Sequence, residues 1–327
     1  MKRNIVSGSI LILVLWALFF LAAISIAIAG YISSGIILAS HVQNKAKTDI
    51  AAIAGIEKAI VEILAHYTNG WDGIQNLAWN CDKTTFTGTL KQGIFNVMYK
   101  EFVSEDEVMD RTGVIGEESR ININKASREI LLALFYRIGL KGDVETLAGA
   151  IIERRDNPGF ASDKELKEEK NKMSKRGYAD ISEIMELPGT TPEILEKLAP
   201  WITVFGSGKI NINSASPLVI AALADGILGA KSDVHTLLAQ KISVFRHSGR
   251  CFALLDESSL INELSNFIHL TSEEKMVFTA IMPYLTISST CFRGCSVGKL
   301  FNEGKEESYI DFVFDTELHK MLFIREK

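Results

Sequence analysis

The sequence predicts an α+β protein with one long N-terminal helix, a small antiparallel sheet and an inserted, duplicated, mainly α-helical domain. Three observations predict it. An uncharged run from Ser9 to Ala29 passes directly into a helical period that lasts to Tyr67. A seven-residue phrase at Ile121 to Ser127 returns at Ile210 to Ser216, 89 residues on (210 minus 121). Segments alternating apolar and polar residues flank that repeat: Ile94 to Tyr99 before it, and three runs between Cys291 and Arg325 after it.

The uncharged run continues through Ile36, Ile37 and Leu38. A helix needs roughly 20 apolar residues to cross about 30 Å of hydrocarbon, so this one spans a bilayer. Lys2 and Arg3 precede it and hold the N-terminus on the cytoplasmic side, leaving the bulk of the chain outside. Three readings of this segment compete. In a cleaved secretory signal, Ala27-Ile28-Ala29 would form the small-x-small site before Gly30, but such signals carry only about 7–15 apolar residues. The second reading is a plain uncleaved anchor. The third is a cut between Gly8 and Ser9, where a small, flexible Gly lets the backbone extend into a protease site. Beyond Leu38, Val42, Ala46, Ile50, Ile53, Ile56, Ile60, Ile63 and Leu64 recur at three- and four-residue steps among charges, so the helix continues as an amphipathic rod packed on a domain. Thr68-Asn69-Gly70 ends it. The alternative is two helices broken near Gly30 or Gly35.

The repeat sets the organisation of the remainder. Ile121-Asn122-Ile123-Asn124 and Ile210-Asn211-Ile212-Asn213 alternate as short extended pieces do, and Ser127 and Ser216 then suit the N-caps of the helices that follow. Pro217 stands at a first helical position. A second helix follows in each copy, ending near Arg155 and Arg246, and the likeness runs on to Thr203 and Thr286. Two helical modules in tandem result. The four Asn residues are read as bonding to local backbone at a strand-to-helix corner. The boundaries are a leader at 1–8, a membrane part of the stalk at 9–38 and its outer part at 39–68. The first part of the α/β domain follows at 69–118, the modules at 119–206 and 207–287, and closing strands at 288–327.

Composition and motifs exclude several functions. A net charge of −5 repels a phosphate backbone, so nucleic acid is not the default partner. Neither a phosphate loop nor H-E-x-x-H nor G-x-S-x-G occurs, and the six His are scattered singly, so no enzyme is indicated. Cys81, Cys251, Cys291 and Cys295 match no four-ligand zinc spacing; a bridge from Cys251 to Cys291 or Cys295 is permitted in an oxidising compartment. Lys164 to Lys172 is a solvated run of mixed charge. Leu187-Pro188-Gly189 resembles the hairpin of helix-hairpin-helix DNA-binding modules, but Thr190-Thr191 replaces its second Gly.

The chain as a whole resembles the K-type minor pseudopilin of the type II (general) secretion system. Four features carry the resemblance: the apolar helix after Gly8, the two I-N-x-N-x-A phrases, Pro188-Gly189-Thr190-Thr191-Pro192-Glu193 followed by Leu198 to Val204, and no Glu at position five counted from Ser9, which is Leu13. The resemblance implies a pilin-like domain whose sheet packs on the stalk and receives the modules as an insertion. It implies a type III leader cut after Gly8 and N-methylation of Ser9. Leu13 in place of Glu implies a tip position, with no subunit above whose N-terminal amine needs a partner. It implies a non-enzymatic subunit that caps the pseudopilus, helps initiate its assembly and supports export across the outer membrane. The implied location is the bacterial inner membrane, single-pass, with the bulk in the periplasm. The implied partners are I-type and J-type minor pseudopilins, the major pseudopilin, the prepilin peptidase and the inner-membrane assembly platform. No cofactor is required. The family's Ca2+ has no assignable ligands here, because Glu153-Arg154-Arg155-Asp156-Asn157-Pro158 stands where relatives carry an acidic stretch, so the metal is unknown. The alternatives are a minor pilin of a related type IV pilus or a membrane-anchored DNA-uptake protein.

Overall fold

A computed structural model describes residues 7–67, 85–102, 108–156, 177–301 and 306–327, with side chains from Ile10 onward. The leader residues 1–6, the Thr68-Asn69-Gly70 stop, Cys81, the Lys164–Lys172 run and the turn at 302–305 lie outside the described residues.

Helix α1 runs unbroken from Ser7 to Tyr67, over 61 residues. Neither Gly30 nor Gly35 interrupts it. From Ile10 to Gln43 every side chain is exposed, and this is the one helix among the described residues long and apolar enough to cross a membrane. Below that point a face of the helix becomes buried.

The chain then lays down β1 (Thr87–Thr89), β2 (Gly93–Phe102), β3 (Val108–Thr112) and β4 (Ile115–Gly116). It leaves the sheet for the first module: β5 (Ile121–Asn122), α2 (Arg128–Arg137), α3 (Val144–Asp156), a 3-10 turn at Ile181–Glu186, α4 (Pro192–Leu198) and β6 (Ile202–Thr203). The second module follows with β7 (Ile210–Asn211), α5 (Pro217–Leu228), α6 (Asp233–His247), α7 (Glu257–Phe267), α8 (Ser272–Ile281) and β8 (Leu285–Thr286). The chain returns through β9 (Cys291–Leu300), β10 (Glu307–Asp315) and β11 (Lys320–Glu326). The seven sheet strands run β1-β2-β9-β10-β11, with β3 also on β2 and β4 also on β9, and every pairing is antiparallel. Because β4 pairs with β9, the insertion leaves and rejoins the sheet at one place. The fold is α+β.

The face of α1 that meets the sheet corrects the reading of its pattern. Thr48, Ala51, Ala52, Gly55, Ile56, Ala59 and Ile63 are buried, whereas Val42, Ile50 and Ile53 are 62%, 62% and 48% exposed. Small residues face inward because β9 approaches the helix backbone. A Cβ built on Gly298 would lie 2.0 Å from the Thr48 carbonyl oxygen, and one on Gly55 would lie 2.2 Å from Ser296 Oγ. Ser296 Oγ in turn donates to the Ala52 carbonyl at 2.6 Å. Phe86, Val97, Phe292 and Phe312 close this core together with Ile56 and Ile63. A second core runs continuously through both modules, from Ile121 to Leu285.

Gly298→Ala therefore forces strand and helix apart. It is expected to cost about 3 kcal/mol or more, beyond the usual range of overpacking because the obstruction is backbone. Thermal melting of the purified chain checks this; an unchanged melting temperature contradicts the contact.

Candidate functional site

Where the two modules begin, the repeated phrases build the same knot twice. Ile121 N–H donates to the Trp201 carbonyl and Ile123 N–H to that of Thr203, both at 2.9 Å, making β5 and β6 a two-residue parallel pair. Ile212 N–H donates to the Thr286 carbonyl at 2.9 Å across the equivalent β7–β8 pair. Each module's first residues thus bind its last.

The Asn side chains complete the closure. Asn122 Oδ1 accepts the Asn124 N–H and Asn211 Oδ1 accepts the Asn213 N–H, each at 2.9 Å. Asn124 Nδ2 donates to the carbonyls of Tyr178 (2.8 Å) and Val204 (3.1 Å), and its Oδ1 accepts the Tyr178 N–H (2.7 Å). Asn213 makes the counterpart bonds to the carbonyls of Phe252 (3.0 Å) and Ile287 (3.4 Å) and from the Phe252 N–H (3.0 Å). An amide presents donor and acceptor side by side, and so satisfies an N–H and carbonyls of chain segments that no sheet reaches. Arg155 and Arg246 donate to the carbonyls of Ala126 (2.7 Å) and Ala215 (2.5 Å), tying the second helix of each module to the same corner. Ser127 and Ser216 cap α2 and α5 through the N–H groups of Ile130 and Val219. Ile121, Ile123, Ile210 and Ile212 are buried in the shared core. The Asn bonds reach segments 39 to 84 residues away as well as the local backbone.

The modules join through their first helices. A Cβ on Gly226 would lie 2.6 Å from Ile130 Cα, so α2 and α5 cross in close contact. Arg137 binds Asp225 with two bonds, at 2.5 and 2.8 Å, and also donates to Thr236 Oγ1 at 3.0 Å. His235 Nδ1 completes the cluster, 2.7 Å from Asp225 Oδ1. His235 is thereby a partner in a buried ionic cluster.

A pair of carboxylates that sequence reasoning missed anchors the modules to the sheet. Glu117 pairs with Arg293 of β9, while Glu118 Oε1 accepts from Ser207 N–H (3.2 Å), Thr290 N–H (3.1 Å) and Thr290 Oγ1 (2.8 Å). Two adjacent acidic residues before a buried phrase carry no signal of this role in the sequence. Burial opposes the charge of Glu117, but Arg293, Arg120 and a bond from Thr203 outweigh it and hold the carboxyl below its usual value. At Glu118 burial dominates the bonds from Thr290 and Ser207 and pushes the carboxyl up.

Chemistry of other kinds is not assembled. Among the described residues no three His, Cys, Asp or Glu side chains converge as a metal site requires. Asp156 of the stretch matched to the family's acidic segment is engaged by Arg155 at 2.8 Å. Cys251 is not bridged to Cys291 or Cys295. Cys291 Sγ instead lies 3.6 Å from Asp315 Oδ2. The Leu187-Pro188-Gly189 turn does link two helical turns, with Gly189 at φ +81°. Gly8 and Ser9 stand in the first turn of α1 of the uncut chain, and Leu13 is 69% exposed on its apolar surface.

No protein-family model matches the chain, and no curated protein matches it. Among solved structures it is similar to a chain in the crystal structure of the GspK-GspI-GspJ complex from the type 2 secretion system of enterotoxigenic Escherichia coli. Identity is 14%, the TM-score is 0.53, and the match covers 88% of this chain and 99% of that chain. This chain has the fold of that chain; at 14% identity the fold is what the two share.

The two carboxylates give opposite pH signatures. Glu118, raised in the folded chain, binds its proton more readily than in the unfolded chain, so it withdraws stability as pH rises above the ordinary carboxylate value. Glu117, lowered, contributes stability that is lost as pH falls. Melting curves of Glu118→Gln between about pH 4 and pH 8 are expected to lose the decline above the ordinary value near 4.3, with stability at neutral pH equal to or above that of the unsubstituted chain. A destabilised variant at neutral pH contradicts the assignment.

Proposed function

We propose that the chain is a K-type minor pseudopilin, anchored in the inner membrane by α1 with its folded part in the periplasm. It caps the pseudopilus, helps initiate its assembly and so supports protein export. The observation that carries this reading is the division of labour on α1. Its small residues lie on the sheet, and Val42, Ile50, Ile53 and Val61 form an exposed apolar stripe continuous with the bilayer segment. A folded unit that exposes large apolar side chains in a row has a surface to cover. Neighbouring stalk helices, themselves apolar, match it in chemistry and length. The I-type and J-type minor pseudopilins are the proposed partners, in keeping with the three-subunit complex whose member shares this fold.

The leader would be removed between Gly8 and Ser9, and Ser9 methylated, by the prepilin peptidase. The major pseudopilin and the assembly platform would then meet the stalk from below. Leu13 leaves the mature helix uncharged at its fifth position, which suits a subunit with none above it. The work is mechanical: apolar helices pair, and the two modules block further addition by bulk.

Extraction of the native chain from membranes, followed by mass spectrometry and identification of the proteins that come with it, tests this. The expected result is an N-terminus at methylated Ser9 and co-purification with other minor pseudopilins. An N-terminus at Met1 or Gly30 contradicts the processing, and a chain recovered alone contradicts the assembly role.

A further inference from the structure

A cavity of about 30 Å³ opens between β2, the end of the first module and the start of the second, and two arginines, Arg120 and Arg246, line it. Only 11% of the Arg120 side chain is exposed, yet its closest carboxylate, Glu117 Oε2, is 4.0 Å away. Glu117 meets Arg293 through Oε1, leaving Oε2 as a distant acceptor for Arg120. A buried guanidinium of this kind is costly unless an acceptor faces it. Arg246 is aimed by the carbonyls of Ile212 (2.9 Å) and Ala215 (2.5 Å), and the Glu101 carboxylate also acts on its charge. Ser214, also on the cavity wall, has its Oγ shut away from solvent with no hydrogen-bond partner among the described residues. Lys100 adds a third cation to the lining, and the one carboxylate there, Glu101, is held by Arg111 at 2.8 Å. Burial draws the pKa of both Arg120 and Arg246 down to about 10, the cost of burying their charge.

We infer that this cavity binds a carboxylate, gripped by Arg120 and Arg246 with Ser214 Oγ as a further donor. Guanidinium groups bind planar carboxylates and tetrahedral oxyanions through the same fork of donors. Size decides between them. A planar carboxylate head is smaller than a tetrahedral phosphate or sulfate, so a cavity of about 30 Å³ favours it. The bound group would join the sheet side, through Arg120 beside β4, to the second module, through Arg246 on α6, and stiffen the joint between them. Its source is either a free small acid or the side chain of a polypeptide. The inference stands on this cavity alone and holds whether or not the stalk assembles as proposed.

The test uses the full chain in detergent at constant ionic strength. Acetate is expected to raise the melting temperature saturably and to alter the emission of Trp201, which lines the cavity, while chloride does neither. Ser214→Ala, which removes a hydroxyl bonded to nothing described, is expected to fold normally and bind acetate about threefold more weakly; Arg120→Met is expected to bind it roughly tenfold more weakly or worse. A peptide, acetyl-Ala-Glu-Ala-amide, is compared with its Gln counterpart. Tighter binding of the Glu peptide than of acetate assigns the site to a polypeptide carboxylate, and weaker binding to a free acid. The inference is overturned if chloride or phosphate acts as strongly as acetate, or if the folded Ser214→Ala and Arg120→Met chains respond as the unsubstituted one does.

Discussion

The contact between the backbone of β9 and the backbone of α1 governs the rest of the molecule. Gly298 and Gly55 remove the side chains that would hold helix and strand apart, and Ser296 closes the gap with a bond to the Ala52 carbonyl. A helix that packs this closely can place only small residues inward along most of its buried face. Its larger apolar residues are then turned outward by geometry, since residues three and four apart share a face and the remainder cannot. The exposed stripe of Ile50, Ile53 and Val61 is thus a consequence of how the domain holds its stalk.

The inserted modules obey a second constraint. Each is a helical unit whose two ends must meet at the sheet, and a two-residue parallel pair is too short to hold them by itself. Asn124 and Asn213 supply the missing bonds from single side chains, and Arg155 and Arg246 fasten a helix to the same point. Arg137 and Asp225 then lock one module to the other in a buried cluster, while Glu117 ties the insertion to β9 through Arg293 and Glu118 ties it to Thr290 just before that strand. The folded part is thus tied at each of its joints, in keeping with the mechanical role proposed for it.

Much of this was legible in the sequence, where the signal is local and periodic. The apolar run, the alternation in β9, β10 and β11, and the duplicated phrase each repeat over several residues, so α1, the closing strands and the modules were readable. The inward face of α1 was not, because hydrophobic periodicity weights Ile50 and Ile53 heavily and is blind to Ala52, Gly55 and Ala59, whose value lies in what they lack. The Asn residues were read as binding nearby backbone, and they also reach Tyr178 and Phe252, since partner distance along the chain leaves no local trace. Glu117, Glu118 and the Arg137–Asp225 pair were invisible for the same reason. Each becomes meaningful only when two distant segments are placed together.

The central claim is that α1 presents two faces with different duties, one to its own sheet and one to other helices in the membrane assembly. Site-specific photo-crosslinking in the native membrane tests it most directly, with the probe placed in turn at Ile50, Ile53 and Val61, and at Ala52 and Ala59. The account predicts crosslinks to other pseudopilins from the first three positions and only intramolecular ones from the last two. Intermolecular crosslinks from Ala52 or Ala59, or none from Ile50, Ile53 and Val61, would contradict it.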